Sequence, residues 1–498
     1  MEFIWLRQDL RVHDHKPLQK ALASGRPVMA GFIFERRFDE LTEAGFPRLD
    51  EKRYRFLIES LLEMHQQLGQ LGVPFVIAHG DTAQEMRNWI QHYHISKIHA
   101  YTYPGTEEAE DEAQIKAAAA EFDAETEFYQ GDTLFSAAHL PFSPSRMPKS
   151  FSGFRKKFEK SGIQPEAEAA FPQEQKPLYL EDHANTGELL MKEFRQLGAK
   201  TLVNGGEQEG LRRLHNYLFE TQNILRYKEA RQGMLDFESS SKLSPWLANG
   251  SLSPRRVYYE LKRFETEYHA NESTDLLYTE LLWRDFYHFV LWSQKEKMFS
   301  RLGIRQLPIQ WNQDAELFEA WSEGRTGYPL IDASMRQLKA CGYMSNRARQ
   351  NTASFLTKNL GVDWRWGAAW FEAHLLDHDP ASNYGNWQYV VGIGTDARQL
   401  KGFNVIQQGK RYDPAGEFIK FWIPELKYVP KQYLYAPFKM NQAQKNEAAL
   451  ELGHDYPYPV VSLDQSLEEH KLLFQQARDK RTKMLNSTKK RSVSEASS

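Results

Sequence analysis

The sequence predicts a chain in two unlike parts, an α/β domain with a doubly wound parallel sheet followed by an all-α domain. Three observations carry this. Short apolar runs alternate with amphipathic stretches over the first 130 residues. The alternation then breaks in a proline-punctuated stretch. After Gly206 the pattern reads as helix almost without interruption. Strands alternating with helices imply βαβ units and a parallel sheet.

The elements follow in order. Phe3–Leu6, Val28–Ile33, Phe75–Ala78, Ile98–Tyr101 and Thr126–Tyr129 are the predicted strands. Between them Phe56, Leu57, Leu61, Met64, Leu68 and Leu71 recur at helical spacing, and the Ala- and Glu-rich stretch Glu107–Phe122 predicts another helix. Pro141, Pro144, Pro148, Pro165, Pro172 and Pro177 mark a connector that crosses the surface. Beyond it, Glu207–Phe219, Tyr278–Trp292 and Trp364–Leu376 are predicted helices. The expected boundaries are 1–130 for the α/β domain, 131–205 for the connector and 206–488 for the helical domain. The polar tail 489–498 is expected to be disordered. There is no internal repeat.

At 498 residues the chain is long enough for two to four domains at roughly 150 residues each. Its 41% hydrophobic and 26% charged content excludes disorder for most of its length. No run approaches the roughly 18 apolar residues of a membrane helix. Lys+Arg (63) and Asp+Glu (66) leave a net charge of −3, so nucleic acid would be bound by a local patch and not by overall charge. The single cysteine, Cys341, excludes an intrachain disulfide framework and a Cys-based zinc site. Met1–Arg7 has no cationic region followed by a long apolar one, so a cytoplasmic protein is expected. The 12 Trp are unevenly placed: only Trp5 and Trp89 precede Trp246. Such crowding serves an aromatic core, a planar-ligand site or an electron-transfer route.

Four groups of residues could carry chemistry. No P-loop exists, and Gly392-Ile-Gly394 lies outside any strand–helix unit, so it argues little for a dinucleotide. Ser239–Arg255 holds Ser240, Ser241 and two Ser-Pro pairs, Ser244-Pro245 and Ser253-Pro254. Each pair reads as an N-cap with Pro at the first helical position, and clustered hydroxyls at helix N-termini suit a phosphate. Leu375–Trp387 sets Asp377, Asp379, Asn383 and Asn386 among aromatics, which suits a polar heterocycle; with His374 and His378 the same carboxylates could ligate a metal and serve a phosphohydrolase. Arg336, Arg347, Arg349, Arg398, Lys401, Lys410 and Arg411 are interleaved with aromatics, the mixture that binds single strands, though a solvated face has the same composition. His13-Asp14-His15 and His92-Tyr93-His94 read as surface histidines.

Several long motifs, in order, resemble the photolyase/cryptochrome family, over essentially the whole chain to about Leu426. They are Trp5–Asp14, Ser241–Arg255, Glu280–Phe286, Gly327–Arg336, Met344–Arg347 and Asp377–Trp387. Met344–Asn351, Ser382–Trp387 and Tyr389 are most similar to the DASH-type cryptochromes. The resemblance implies a Rossmann-like photolyase domain and a helical domain holding U-shaped FAD, with no metal required. By motif position Tyr227, Ser240, Ser241, Leu243 and Ser244 would line the phosphate side. Glu280, Arg284, Asn346, Arg349, Asp377, Asp379 and Asn383 would surround the flavin and its sugar, with Asn383 facing the flavin N5 and Arg349 pairing with Asp377. Trp387, Trp364 and Trp311 fall at the family's electron-relay positions; spacings of 53 and 23 residues cannot themselves show a wire.

The same resemblance implies blue-light repair of cyclobutane pyrimidine dimers, mainly in single-stranded DNA, by electron transfer from reduced flavin. RNA is a further possible strand. Glu280, Trp283, Gln350 and Tyr389 would meet the substrate, and Arg398 and Lys401 its phosphates. Phe151–Glu159 is similar to a segment that contributes to a 5,10-methenyltetrahydrofolate antenna, with Glu159 accepting from the pterin; the bland alternative is an amphipathic surface helix. A monomer is expected. The competing function is a non-enzymatic blue-light photoreceptor with the same flavin.

Overall fold

The computed structural model describes residues 1–143, 146–178, 180–395 and 402–495. All five predicted strands form. β1 (Glu2–Leu6), β2 (Val28–Glu35), β3 (Phe75–Gly80), β4 (Lys97–Tyr101) and β5 (Glu125–Tyr129) make one parallel sheet in the order β3-β2-β1-β4-β5. This is a doubly wound order whose direction reverses at β1. Every residue of β1 is buried, as a central strand covered on both faces requires. Its side chains alternate: Phe3 and Trp5 pack with Met86, Trp89 and Ile115, while Ile4 and Leu6 pack with Leu18, Ile58 and Leu61. Gly31 on β2 makes room for this, because a Cβ there would stand 2.7 Å from the Phe3 ring.

The helices Lys16–Ala23 and Glu51–Gln70 cover one face, Thr82–Tyr93 and Thr106–Ala120 the other. The connector is less irregular than its prolines imply. It holds the helices Phe151–Ser161 and Glu181–Gln196, and the second packs back on Glu51–Gln70. The other half is helical from Glu207, as expected. Its last helix, Leu463–Glu495, is anchored by the buried Leu463, Phe474 and Ala477 and carries helical backbone past residue 488, where a disordered tail was expected. Among the described residues no helix is long and apolar enough to cross a membrane.

The triplet His13-Asp14-His15 corrects its reading as surface. His13, Asp14 and His15 are buried at the seam between the two halves. Asp14 accepts from Arg255 Nε (2.9 Å), from the Ala169 amide (2.8 Å) and from the Ser253 hydroxyl. His13 Nδ1 lies 2.6 Å from Glu207, and His15 Nε2 2.9 Å from Asp9. Arg11 donates to the Gly250 carbonyl at 2.7 Å. Apart from Asp9, six residues from His15, these partners come from 155 to 241 residues away, so little that is local marks these polar groups as interior. His92 and His94 do stay exposed.

Candidate functional site

A cavity of about 490 Å³ opens in the helical half. Its walls are the helices Glu272–Gln294, Asn346–Lys358 and Pro380–Val391, together with the segment 239–248. All the residues assigned above to FAD line it: Tyr227, Ser240, Ser241, Leu243, Ser244, Glu280, Arg284, Asn346, Arg349, Asp377, Asp379 and Asn383. So do Trp283, Gln350, Trp387 and Tyr389. Trp311, Trp364 and Glu159 do not, and Arg398 and Lys401 lie outside the described residues.

The polar side chains are held by one another. Arg349 grips Asp377 with two bonds, 3.0 and 2.8 Å, and the Ser244 hydroxyl donates to Asp377 at 2.7 Å. Ser244 is therefore not the cap it resembles. Leu243 occupies the N-cap position without a side-chain bond, and the hydroxyl serves Asp377 instead. Ser253 does cap, accepting from the Arg255 amide. Lys242, at φ +57°, places its Nζ 2.9 Å from Ser240 Oγ. Asn383 donates through Nδ2 to the Ala368 carbonyl at 2.9 Å, so its orientation is fixed. Gln350 accepts from Arg347 at 2.7 Å, and Glu280 accepts from Arg231. Arg284 is committed to main-chain carbonyls, Asp132 among them. Trp283 stacks on Phe151 with centroids 3.7 Å apart, which pins that wall.

Asp379 lines the cavity and is anchored within the protein at the same time. Both its oxygens are taken by protein: Oδ1 accepts the Ser382 amide at 2.6 Å as helix cap, and Oδ2 lies 2.9 Å from His288 Nε2. His288 Nδ1 stands 2.7 Å from Asp132, so one imidazole bridges the α/β-domain end and the cavity. Sequence reading passed over His288, although Glu280, Arg284 and His288 step by four along one helix and so share a face. Arg231, Lys242 and Tyr343 also line the cavity unforeseen, and Arg347, read above among the strand-binding cations, lines it with them.

Burial disfavours the imidazolium, but Asp379 and Asp132 outweigh it and push the His288 pKa up to about 9. His288 in turn, with Arg284, holds Asp379 far below the usual carboxylate range against its own burial. A pKa raised on folding stabilises the protein fully below the unfolded value of about 6.5 and loses that contribution as pH rises through about 9. Urea midpoints should therefore fall between pH 6.5 and 9 in the parent and stay flatter in His288→Gln. Parallel pH profiles would show that His288 does not carry the effect.

The metal arrangement does not assemble. His374 Nδ1 is 3.0 Å from the Trp370 carbonyl, Asp377 faces Arg349 and Asp379 faces His288. Among the described residues no three His, Cys, Asp or Glu side chains are grouped to hold a metal ion.

Trp387 is buried at the cavity wall, its ring 5.1 Å from Phe371 and 6.3 Å from Trp321. Gly367 admits it, since a Cβ there would stand 2.2 Å from Trp387 Cη2. Trp364 is fully buried and donates to the Arg301 carbonyl at 3.3 Å, while Arg301 Nη2 donates to the Trp311 carbonyl at 3.0 Å. Glu159 lies on the exposed side of Phe151–Ser161, paired with Arg155 at 2.6 Å, with Phe154 and Phe158 turned inward.

A family profile described as DNA photolyase matches residues 2–175, and one described as the FAD binding domain of DNA photolyase matches 276–476. A cryptochrome DASH of Synechocystis sp. is 39% identical over 475 residues, 95% of this chain and 97% of that protein. The chain belongs to the cryptochrome DASH family. Its fold agrees with solved structures of related proteins. The crystal structure of a Synechocystis cryptochrome superposes with a TM-score of 0.89 at 38% identity, over 95% of this chain and 99% of that one. A bacterial class III photolyase from Agrobacterium tumefaciens gives 0.80 at 29% identity, over 96% and 98%.

The cryptochrome DASH site fits FAD on its own chemistry. The Ser240 and Ser241 hydroxyls beside Lys242 suit a diphosphate. Two buried ring nitrogens on the cavity wall, His378 Nδ1 and Trp387 Nε1, have no hydrogen-bond partner among the described residues.

Proposed function

We propose that the chain uses blue light and FAD to split cyclobutane pyrimidine dimers, mainly in single-stranded DNA. What best supports this is that one cavity carries two kinds of lining: the Ser240–Ser244 and Arg349–Asp377 groups, and the rings of Trp283, Tyr287 and Tyr389 beside Arg347 and Gln350. When bound, the flavin supplies light absorption and a one-electron donor. The residues do the rest. Ser240, Ser241 and Lys242 would hold the diphosphate. The Arg349–Asp377 pair and Asn383, fixed by Ala368, would orient the ring and tune its charge. Glu280, steadied by Arg231, would bond a thymine edge. Trp283 would stack on extruded bases, unable to swing away because Phe151 backs it. Trp387, Trp364 and Trp311 would relay electrons inward, with Trp311, 7% exposed against 0% for Trp364, as the outer member.

Extruding a dimer from a duplex costs a few kcal/mol, and least from a strand already single. Tyr389 offers less stacking area than Trp, the residue that double-strand photolyases tend to carry there. It repays less of that cost. Repair of one dimer under blue light should therefore be efficient in a single strand, intermediate in a bubble and weak in a full duplex. Tyr389→Trp should gain on the duplex. Equal rates on all three substrates would sink the substrate assignment, and no repair on any would favour the photoreceptor reading. Arg347, with Arg398 and Lys401, would supply salt-sensitive phosphate contacts to DNA or RNA.

We also assign 5,10-methenyltetrahydrofolate as second chromophore, with Glu159 accepting from the pterin. The chromophores released on denaturing the purified protein, read by absorption, test both cofactors. A cytoplasmic monomer completes the proposal.

A further inference from the structure

Tyr384 follows Asn383 on the helix Pro380–Val391 but does not line the cavity. Its ring meets Trp364 edge to face, with centroids 6.0 Å apart and planes at 80°. Its hydroxyl donates to Glu372 Oε2 at 3.0 Å. The other carboxylate oxygen takes Arg48, at 2.8 and 3.2 Å, and Arg53 donates to the Glu372 carbonyl at 2.8 Å. Burial alone would raise the Glu372 carboxyl, but His378, Arg48 and Arg53 hold it down at about 2. A buried carboxylate, ionised at neutral pH, thus sits on the phenol of a ring that touches the middle tryptophan of the relay.

We propose that Tyr384 is a redox-active branch of that relay, reducing oxidised Trp364 and passing its phenolic proton to Glu372. The electron leaves the phenol ring and returns the indole to neutral Trp. The Tyr384 O–H bond breaks, and the proton forms a new O–H bond at Glu372 Oε2. The products are a neutral tyrosyl radical and an uncharged Glu372. The oxidant that first removes an electron from the tryptophans is a photoexcited oxidised flavin, so the inference rests on the FAD and relay reading above. The geometry supplies what the step needs. An oxidised phenol is a strong acid, its acceptor is already in hydrogen-bond contact, and Arg48 steadies the acceptor until the proton arrives. Once the proton has moved, return of the electron requires return of the proton, so the separated state outlives one held on indole alone.

The experiment is transient absorption after a blue flash on the FAD-loaded protein without DNA. In the parent, the broad indole-radical absorption should give way to the narrow near-ultraviolet band of a tyrosyl radical. Tyr384→Phe, which removes only the hydroxyl, should keep the indole signal and lose the tyrosyl one. General-base proton transfer contributes about 10²–10⁴-fold, so Glu372→Gln should slow tyrosyl formation by roughly 100-fold. A tyrosyl band that survives in Tyr384→Phe, or an indole radical in the parent that never yields one, overturns this inference alone. No indole radical in the parent overturns the relay, and this branch with it.

Discussion

Asp14→Ala should destabilise the whole protein by about 3–5 kcal/mol, the cost of leaving a buried charge without its partner. Asp14 and Arg255 are both buried at the seam, and Asp14 also serves Ser253 and the Ala169 amide. Removing the carboxylate strands the Arg255 guanidinium and two further donors at once. Against a typical margin of about 5–15 kcal/mol this is a large fraction. Urea unfolding measures it. Asp14→Asn keeps an acceptor and should lose less. A loss within the roughly 0–1 kcal/mol of an exposed ion pair would mean that water reaches Arg255.

Trp364→Phe should keep its FAD yet photoreduce more than about tenfold more slowly, a rise of about 1.4 kcal/mol or more in the effective barrier. Phe fills a similar space inside the fully buried site but is much harder to oxidise. Steady blue illumination with an external reductant, followed by absorption, gives the rate. Dimer repair begun from chemically reduced flavin should change little, because that electron comes from the cofactor. Unchanged photoreduction would mean that electrons bypass Trp364.

The parallel sheet was legible because buried strands are continuous apolar runs, and those runs are local. Lys16–Ala23 was not, since eight residues are too few to show a period. Thr82–Tyr93 does bury Met86, Trp89 and Ile90 at helical spacing behind the Asp81 cap, so its signal was present and passed over. The cavity residues were legible through motifs, and the Arg349–Asp377 pair formed as the resemblance implied. What motifs could not carry was partner choice. Asp379 with His288, Ser244 with Asp377 and Asp14 with Arg255 join positions 91, 133 and 241 residues apart. Only folding shows which carboxylate each donor meets, and a polar triplet such as His13–His15 reads as surface until its partners arrive.

The bare backbone of Gly367 beneath Trp387 has a thermodynamic consequence for charge movement. An electron leaving a solvated ring forces surrounding dipoles to turn, and that reorganisation is part of the barrier. Trp387 is 2% exposed and wedged between Gly367, Phe371 and Trp321. Gly367 and the two neighbouring rings leave the indole little room to tilt. If Trp387 is the inner relay member proposed above, surroundings packed this tightly would reorganise little on its ionisation, and the coupling between the two rings would set the speed of the first hop. A methyl group at position 367 would push the indole aside and loosen that packing, slowing the hop without touching any group that carries charge.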